Sequence, residues 1–269
     1  MQSILLGVAV IGGSTLYALL GVLIVRKYFS AELLKSHHEV GGYLMSILGT
    51  LYAVVLGFVV VTVSQDVQDS KVNMGREVNA LMNINRFADL LPEQQKKAIK
   101  TSCLNYTLAV ANEEWEDMPK GVICPSAWRG IRNIWIEISN STPVTPKEQA
   151  IFSQMLTEYA TLADSRRIRL VTAPGTVSAL LWTVLVVGGI ITISFTFFFC
   201  VDSLASQLLM TSFVAVALSL NLYLVVINSK PFSGDFKVQP TSFRRAVKLL
   251  ELNGEIPDRD EAKRLGLSQ

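Results

Sequence analysis

Four stretches of this sequence carry no charged residue and are long enough to cross a lipid bilayer as single helices. A helix needs about 20 mostly apolar residues to span the hydrocarbon of a membrane, which is about 30 Å thick. The stretches cover residues of about 2–25, 43–64, 178–201 and 204–228. The remaining sequence lacks the strict apolar and polar alternation that is typical of β-strands. We therefore predict an all-α membrane protein with four transmembrane helices.

The charge composition agrees with a lipid environment. Only 17% of the residues are charged, against roughly 25% in ordinary soluble domains. The 24 basic and 22 acidic residues leave a net charge of +2, which is too small to create the positive field of a nucleic-acid-binding protein. We expect membrane lipids as surroundings and no nucleic-acid partner.

The residues that most enzyme sites require are scarce. The three cysteines, Cys103, Cys124 and Cys200, are far apart, and His37 and His38 are the only histidines. Their spacing fits neither a zinc site nor a disulfide framework. The sequence also lacks the GxxxxGK[ST], HExxH and GxSxG motifs. We predict no enzyme activity, no metal site and no cofactor.

A polar stretch, residues 65–177, separates the second and third apolar runs. Apolar residues three to four apart continue from Val67 to Leu91, which predicts that the second transmembrane helix extends into water and ends near Pro92. Thr145, followed by Glu148 three residues later, is typical of a capping box at a helix start. The predicted divisions are a first transmembrane hairpin (1–64), a helical cytoplasmic domain (65–177), a second transmembrane hairpin (178–228) and a cytoplasmic tail that packs on the helical domain (229–269).

The distribution of Lys and Arg predicts the orientation in the membrane. The loop of residues 26–41 and the turn at Asp202 hold three basic residues, whereas the other side has many more close to the membrane. Because basic residues are retained on the cytoplasmic side, we expect both termini and the helical domain in the cytoplasm. In the opposite orientation, Cys103 and Cys124 could form a disulfide.

Small residues follow one side of the second transmembrane helix. They are spaced three to four apart with one apolar member: Gly42, Ser46, Gly49, Ala53, Gly57, Val60 and Ser64. A pore is one interpretation, because small side chains leave room for water and Val60, with neighbours such as Phe58 and Val61, could form an apolar gate that closes by dewetting. The other interpretation is helix packing, in which small residues let two backbones approach closely.

Two polar groups flank this helix. Asp66 and Asp69 are either solvated carboxylates or, in a symmetric oligomer, acidic rings that select for cations. His37, His38 and Glu39 either cap the other end of the helix or form a histidine ring at the outer mouth that senses pH or binds a metal. Adjacent side chains point apart, so one chain can direct at most two of these three towards one ion.

Aromatic and basic residues mark the helical domain. The spacing of Trp115, Trp128 and Trp135 predicts three core residues rather than a ligand platform. Three arginines just before the third transmembrane helix, Arg166, Arg167 and Arg169, are expected to contact anionic lipid headgroups. Binding of a nucleotide or a lipid regulator is the alternative for these arginines.

The order of segments and four short motifs resemble the bacterial bestrophin-like domain family. The motifs are His37–Tyr43, Gly49–Val54, Glu113–Trp115 and Pro231–Gly234. This resemblance implies an oligomeric, ion-conducting or ion-sensing protein of the bacterial inner membrane. The more distantly similar bestrophins are pentameric, mostly anion-selective channels that calcium gates. Here a single Asp235 stands where those channels carry a run of acidic residues, which argues against calcium gating.

We therefore expect a homo-oligomeric ion channel, pentameric by its resemblance, that conducts small inorganic ions along an axis lined by the second transmembrane helix. Anion and monovalent cation conduction both remain open, because the acidic candidates and the resemblance point in opposite directions. The alternative is a non-conducting membrane scaffold or sensor whose cytoplasmic helices bind a partner. That alternative predicts no ion flux.

Overall fold

The computed structural model describes residues 2–36 and 38–252, and every regular element in these two ranges is helical. The helices are α1 (Gln2–Tyr28), α2 (Ala31–Ser36), α3 (His38–Ala88), α4 (Glu93–Ala109), α5 (Trp115–Asp117), α6 (Pro125–Ser139), α7 (Pro146–Thr172), α8 (Ala179–Thr196), α9 (Leu204–Asn228) and α10 (Thr241–Glu251). A π-helix (Val110–Glu114) joins α4 to α5, and a 3₁₀ turn (Met118–Lys120) follows α5.

The chain divides into two compact units. The first contains residues up to 67, 176–229 and 234–236, and the second contains residues 68–175, 230–233 and those from 237 onwards. The predicted tail is described only as far as residue 252, so its remainder, 253–269, lies outside the described residues.

Four helices are long and apolar enough to cross a membrane, namely α1, α3, α8 and α9. The prediction of an all-α integral membrane protein is therefore confirmed. The third span ends at Thr196, five residues earlier than predicted, because polar side chains bind the carbonyl groups that follow it. Gln207 donates to the Phe197 carbonyl over 3.3 Å, and the Arg26 guanidinium binds both the Gln207 side chain and the Val201 carbonyl.

The membrane-spanning helices pack around two apolar clusters. One joins α1, α8 and α9 through side chains that include Val22, Phe197 and Ala215. The other joins α3 to α8 and α9 through Tyr52, Leu56, Val59, Val63, Leu185 and Val225. The residues that α3 contributes to the second cluster all lie on one side of that helix. Their burial therefore determines which side of α3 faces α8 and α9.

α3 continues without a break to Ala88, as the apolar spacing predicted. In the second unit its buried residues include Leu81 and Ile84. The predicted capping box at the start of α7 is confirmed. The Thr145 hydroxyl accepts from the Glu148 amide over 3.2 Å, and the Glu148 carboxylate accepts from the Thr145 amide over 3.1 Å.

Candidate functional site

The membrane-spanning part of α3 has a distinct packing face made by Tyr52, Leu56, Val59 and Val63. The Tyr52 hydroxyl donates to the Leu185 carbonyl over 2.9 Å. Its ring lies directly over Gly188 and Gly189 of α8, where an added Cβ would come within 2.7 Å and 2.9 Å of the tyrosine. These glycines let α8 approach α3 closely, which is the packing role of small residues in membrane helices.

The predicted small-residue stripe lies on a different side of α3, roughly 90° around the helix from the packing face at 3.6 residues per turn. Its Ser46, Ala53, Gly57 and Ser64 are exposed, and Gly42, Gly49 and Val60 are half-buried. A Cβ placed on Gly42, Gly49 or Gly57 would meet no neighbouring atom within 4 Å in the described part of the chain. The glycines of the stripe are therefore not close-contact points between helices within the described part of the chain.

The hydroxyl groups of the stripe are satisfied within α3 itself. Ser46 donates to the Gly42 carbonyl and Ser64 donates to the Val60 carbonyl, each over 2.8 Å. Such bonds to the preceding turn let serine face an apolar environment without an unpaired donor. The hydroxyl oxygens keep lone pairs that can accept from water.

Val60 lies at the border between the two faces. Its side chain is half-buried and packs against the cluster that contains Val59 and Val63. This contact fixes the position of Val60, so that any constriction formed there would be set by the packing of α3 on α8 and α9.

The flanking polar candidates are placed away from the stripe. Asp66 is half-buried and lies roughly 140° around the helix from the middle of the stripe. Asp69 is exposed one turn later in the same helix. At the other end, His38 and Glu39 are exposed, and the His38 ring lies 5.2 Å from that of Phe199.

The predicted member His37 lies outside the described residues. Among the side chains that the structure describes, no three His, Cys, Asp or Glu groups are close enough together to hold a metal ion. Asp235 is engaged elsewhere, since its carboxylate accepts from the Ser3 amide over 2.9 Å and its own amide donates to the Ser3 hydroxyl over 3.1 Å.

A buried ionic cluster forms the centre of the second unit. Arg169 binds both carboxylate oxygens of Glu77 and also binds Glu114 over 2.8 Å, while Arg166 binds Glu114. All four side chains are buried. The expectation that Arg166 and Arg169 contact lipid headgroups was therefore wrong, whereas Arg167 is exposed and pairs with Asp164 on its own helix.

The π-helix turns Glu114 into this cluster. Wide turns of this kind insert an extra residue into an α-helix and change which side chains face inward. Glu114 is buried, whereas its neighbour Glu113 is exposed and accepts from the Ser126 hydroxyl. The sequence gives little signal for this choice, because both glutamates have the same chemistry.

Aromatic rings and a phenol complete the cluster. The Arg169 guanidinium lies 5.4 Å from the ring centre of Trp115 and 5.6 Å from that of Phe243. The Tyr106 hydroxyl donates to Glu77 over 2.6 Å. Burial, followed by the charge of Glu77, raises the pKa of Tyr106 well above its ordinary value. Burial alone would lower the pKa of Arg169, but the charge and hydrogen bond of Glu77, together with the charges of Tyr106 and Glu114, outweigh burial and raise this pKa.

The predicted core tryptophans differ from one another. Trp115 is buried and donates to the Val238 carbonyl over 3.1 Å, as expected of a core residue. Trp128 and Trp135 are 52% and 43% exposed, so for them the prediction was wrong. Trp128 stacks on the Arg166 guanidinium at 4.9 Å and Trp135 contacts the Tyr159 ring at 5.1 Å. Both rings thus cover the outside of the unit.

Comparison with known proteins gives one family and one fold. The sequence profile described as Bestrophin-like domain matches residues 12–243. Two solved variants of a bacterial bestrophin homologue from Klebsiella pneumoniae are 14% identical, with TM-scores of 0.66 and 0.67, over 90% and 91% of this chain and 98% of theirs. Another solved membrane protein is 15% identical, with a TM-score of 0.67, over 92% of this chain and 100% of its own. A comparison with curated sequences gives no match.

Proposed function

Because this chain belongs to the Bestrophin-like domain family, we propose that it is an ion channel in which several copies of α3 surround a central pore. The resemblance to bestrophins supports a pentamer. Four spans without an intramembrane charge leave little room for a solvated path in one copy, so conduction requires several copies around an axis.

The observation that carries the proposal is the uncovered stripe on α3. Its proposed pore-lining residues are Gly42, Ser46, Gly49, Ala53, Gly57, Val60 and Ser64. The packing of Tyr52 and Leu56 on α8 directs this stripe away from the helices of its own chain. In a ring of copies it would face the axis, where small side chains leave a water-filled path.

We assign the gate to Val60, the largest apolar side chain of the stripe. A ring of valines narrows the path and repels water, so ions cross only when the ring widens. Replacing Val60 by alanine is expected to wet the constriction and increase flux.

The test is ion flux through purified protein in liposomes under chloride and potassium gradients. Wild-type flux that increases in Val60→Ala supports both the channel and the gate. The Val55→Ala variant is the matched control, because Val55 is exposed roughly 140° around α3 from Val60 and its truncation is expected to leave flux unchanged. No flux from either protein would favour the membrane scaffold or sensor that binds a partner through its cytoplasmic helices.

The same flux assay shows whether the channel conducts anions or cations. Asp66→Asn shifts the reversal potential only if these carboxylates surround the mouth of the pore, and Asp69→Asn tests the next turn. His38→Gln tests the proposed histidine ring at the outer mouth, with a changed pH response as the expected result if the ring exists.

We further propose that both termini and the second unit lie on the cytoplasmic side of the inner membrane. Cys103, Cys124 and Cys200 are free and buried, so a cysteine introduced at the exposed Ser139 can serve as a reporter. In Ser139→Cys, an impermeant maleimide is expected to label the protein only after the cells are permeabilised. Labelling of intact cells would reverse the orientation.

A further inference from the structure

A cavity of about 590 Å³ opens on α4 beside the end of α10. One wall is polar and basic and another is apolar. The lining residues are Glu93, Lys96, Lys97, Lys100, Thr101, Leu104 and Leu250. Three of these seven are lysines from little more than one turn of α4, and they outnumber the single carboxylate of the lining, that of Glu93. The lining is therefore net positive.

Two of the lysines converge on one oxygen atom. The Lys96 and Lys100 ammonium groups lie 3.2 Å and 2.7 Å from the same Asp89 carboxylate oxygen. The Lys100 side chain is only 14% exposed, and that of Lys96 is 31% exposed. A partly desolvated ammonium group requires an anionic or hydrogen-bonding partner. The Lys96 and Lys100 ammonium groups are thus already positioned to bind one anionic oxygen between them.

Asp89 neutralises only part of the positive charge of the three lysines. Partial burial raises its pKa, but the hydrogen bonds and charges of Lys100 and Lys96 outweigh burial and lower it. The carboxylate is therefore charged at neutral pH. It supplies one negative charge through one contacted oxygen, and its side chain is 43% exposed. A phosphate group carries more charge and three acceptor oxygens, which suit several ammonium donors better than one carboxylate.

We propose that this cavity binds a phosphate-bearing anion, whose oxygens replace the Asp89 carboxylate between Lys96 and Lys100. Lys97, which also lines the cavity, adds a third cation. Leu104 and Leu250 supply an apolar wall, which fits an organic phosphate with an apolar portion. Binding of this class of ligand goes beyond ion conduction and does not depend on it.

The proposal predicts opposite effects of two charge changes. Lys100→Gln removes one charge-assisted hydrogen bond and is expected to weaken binding about tenfold. Asp89→Asn removes the competing anion and is expected to strengthen binding. The measurement is isothermal titration calorimetry of the full chain in detergent micelles at low ionic strength, with tripolyphosphate as the probe.

The chain offers matched controls in the exposed pair of Lys120 and Asp117, whose atoms lie 3.5 Å apart. Lys120→Gln and Asp117→Asn make the same charge changes away from the cavity and are expected to leave the affinity nearly unchanged. Equal effects of Lys100→Gln and Lys120→Gln would overturn the proposal, as would an absence of saturable binding or weaker binding by Asp89→Asn. Because unfolding of the cavity is expected to weaken binding, a gain of affinity in Asp89→Asn that Asp117→Asn does not share remains informative if a lysine variant is unstable.

The phosphate could belong to a soluble compound or to a lipid headgroup. Nanodiscs of phosphatidylcholine alone and of phosphatidylcholine mixed with phosphatidylglycerol distinguish these sources. Equal tripolyphosphate affinity in both supports a soluble ligand. If phosphatidylglycerol headgroups occupy the cavity, they compete with tripolyphosphate, whose affinity is then weaker in the mixed nanodiscs. Loss of this difference between the two nanodiscs in Lys100→Gln supports the site and assigns it to the headgroup.

Discussion

Arg169 of α7 donates two parallel hydrogen bonds to Glu77 of α3. Its Nε and Nη2 atoms lie 2.7 Å and 2.8 Å from the two carboxylate oxygens. The two residues are 92 positions apart in the chain. Both are shielded from water, with relative side-chain exposures of 1% and 0%. A fork of this kind fixes orientation as well as distance, so it determines how α7 and α3 meet within the second unit.

Arg169→Met is expected to destabilise the protein severely. It removes the only cation that binds the buried Glu77 carboxylate among the described residues, leaving Tyr106 as its donor, and it removes one of the two arginines that bind Glu114. Loss of one partner of a buried ion pair typically costs about 3–5 kcal/mol. Arg167→Met is the control, because Arg167 is exposed on the same helix and surface pairs contribute at most about 1 kcal/mol. Thermal unfolding in detergent measures both. Similar melting temperatures for the two variants would contradict the proposed importance of the cluster.

The stability of the second unit is expected to fall at alkaline pH. Burial raises the pKa of the Cys103 thiol from its ordinary value of 9.0 to about 12. A raised pKa favours the folded state fully below the unfolded pKa, and this contribution is lost as pH rises from about 9 towards 12. Cys103→Ala should therefore flatten the decline of melting temperature between pH 8 and about 11. Parallel curves for the variant and the wild type would refute this assignment.

Gly188→Ala is expected to loosen the contact between α3 and α8. The added methyl group would lie 2.7 Å from the Tyr52 ring, and overpacking of this kind costs about 1–3 kcal/mol. Gly12→Ala is the matched control, because a Cβ there meets no atom within 4 Å in the described residues and alanine favours a helix. Thermal unfolding is the readout, and a lower melting temperature is expected for Gly188→Ala alone.

Cysteine substitution can test which side of α3 faces the proposed pore. Ala53→Cys places a thiol on the stripe, whereas Val54→Cys places it on a neighbouring exposed position roughly 100° around the helix. A charged, water-soluble thiol reagent is expected to change ion flux in Ala53→Cys and not in Val54→Cys. The reverse pattern would turn the lining face of α3 towards Val54.

The membrane-spanning helices could be predicted from the sequence, because each is specified by residues that are close together in the chain. An uncharged run long enough to cross lipid specifies a span by itself, and the chemistry of Thr145 and Glu148 specifies a helix start over four residues. The unbroken extension of α3 followed in the same way from apolar spacing. The early end of α8 was missed, because it depends on Gln207 of the next helix and on Arg26, which lies 175 positions from the Val201 carbonyl that it binds.

The ionic cluster was not accessible by the same means. Arg166 and Arg169 look like Arg167 in a sequence, and only the partners Glu77 and Glu114, supplied by other helices, distinguish buried arginines from an exposed one. The spacing of the stripe places its residues on one side of α3, and its role as a pore lining stays a prediction. Whether it packs within the chain depended on where Tyr52 docks, which required the structure.

The π-helix that follows α4 has a consequence for how this chain is compared with others. Counted from the buried Ile99 at about 100° per residue, an unbroken α-helix would turn Glu113 and Asp117 inward. The structure buries Glu114 and Met118 instead, so the wide turn acts as a one-residue frame shift within a continuous helix. A relative without the extra residue would need a gap at this point for its inward glutamate to align with Glu114. Ungapped comparison would pair that glutamate with an exposed position and hide the cluster.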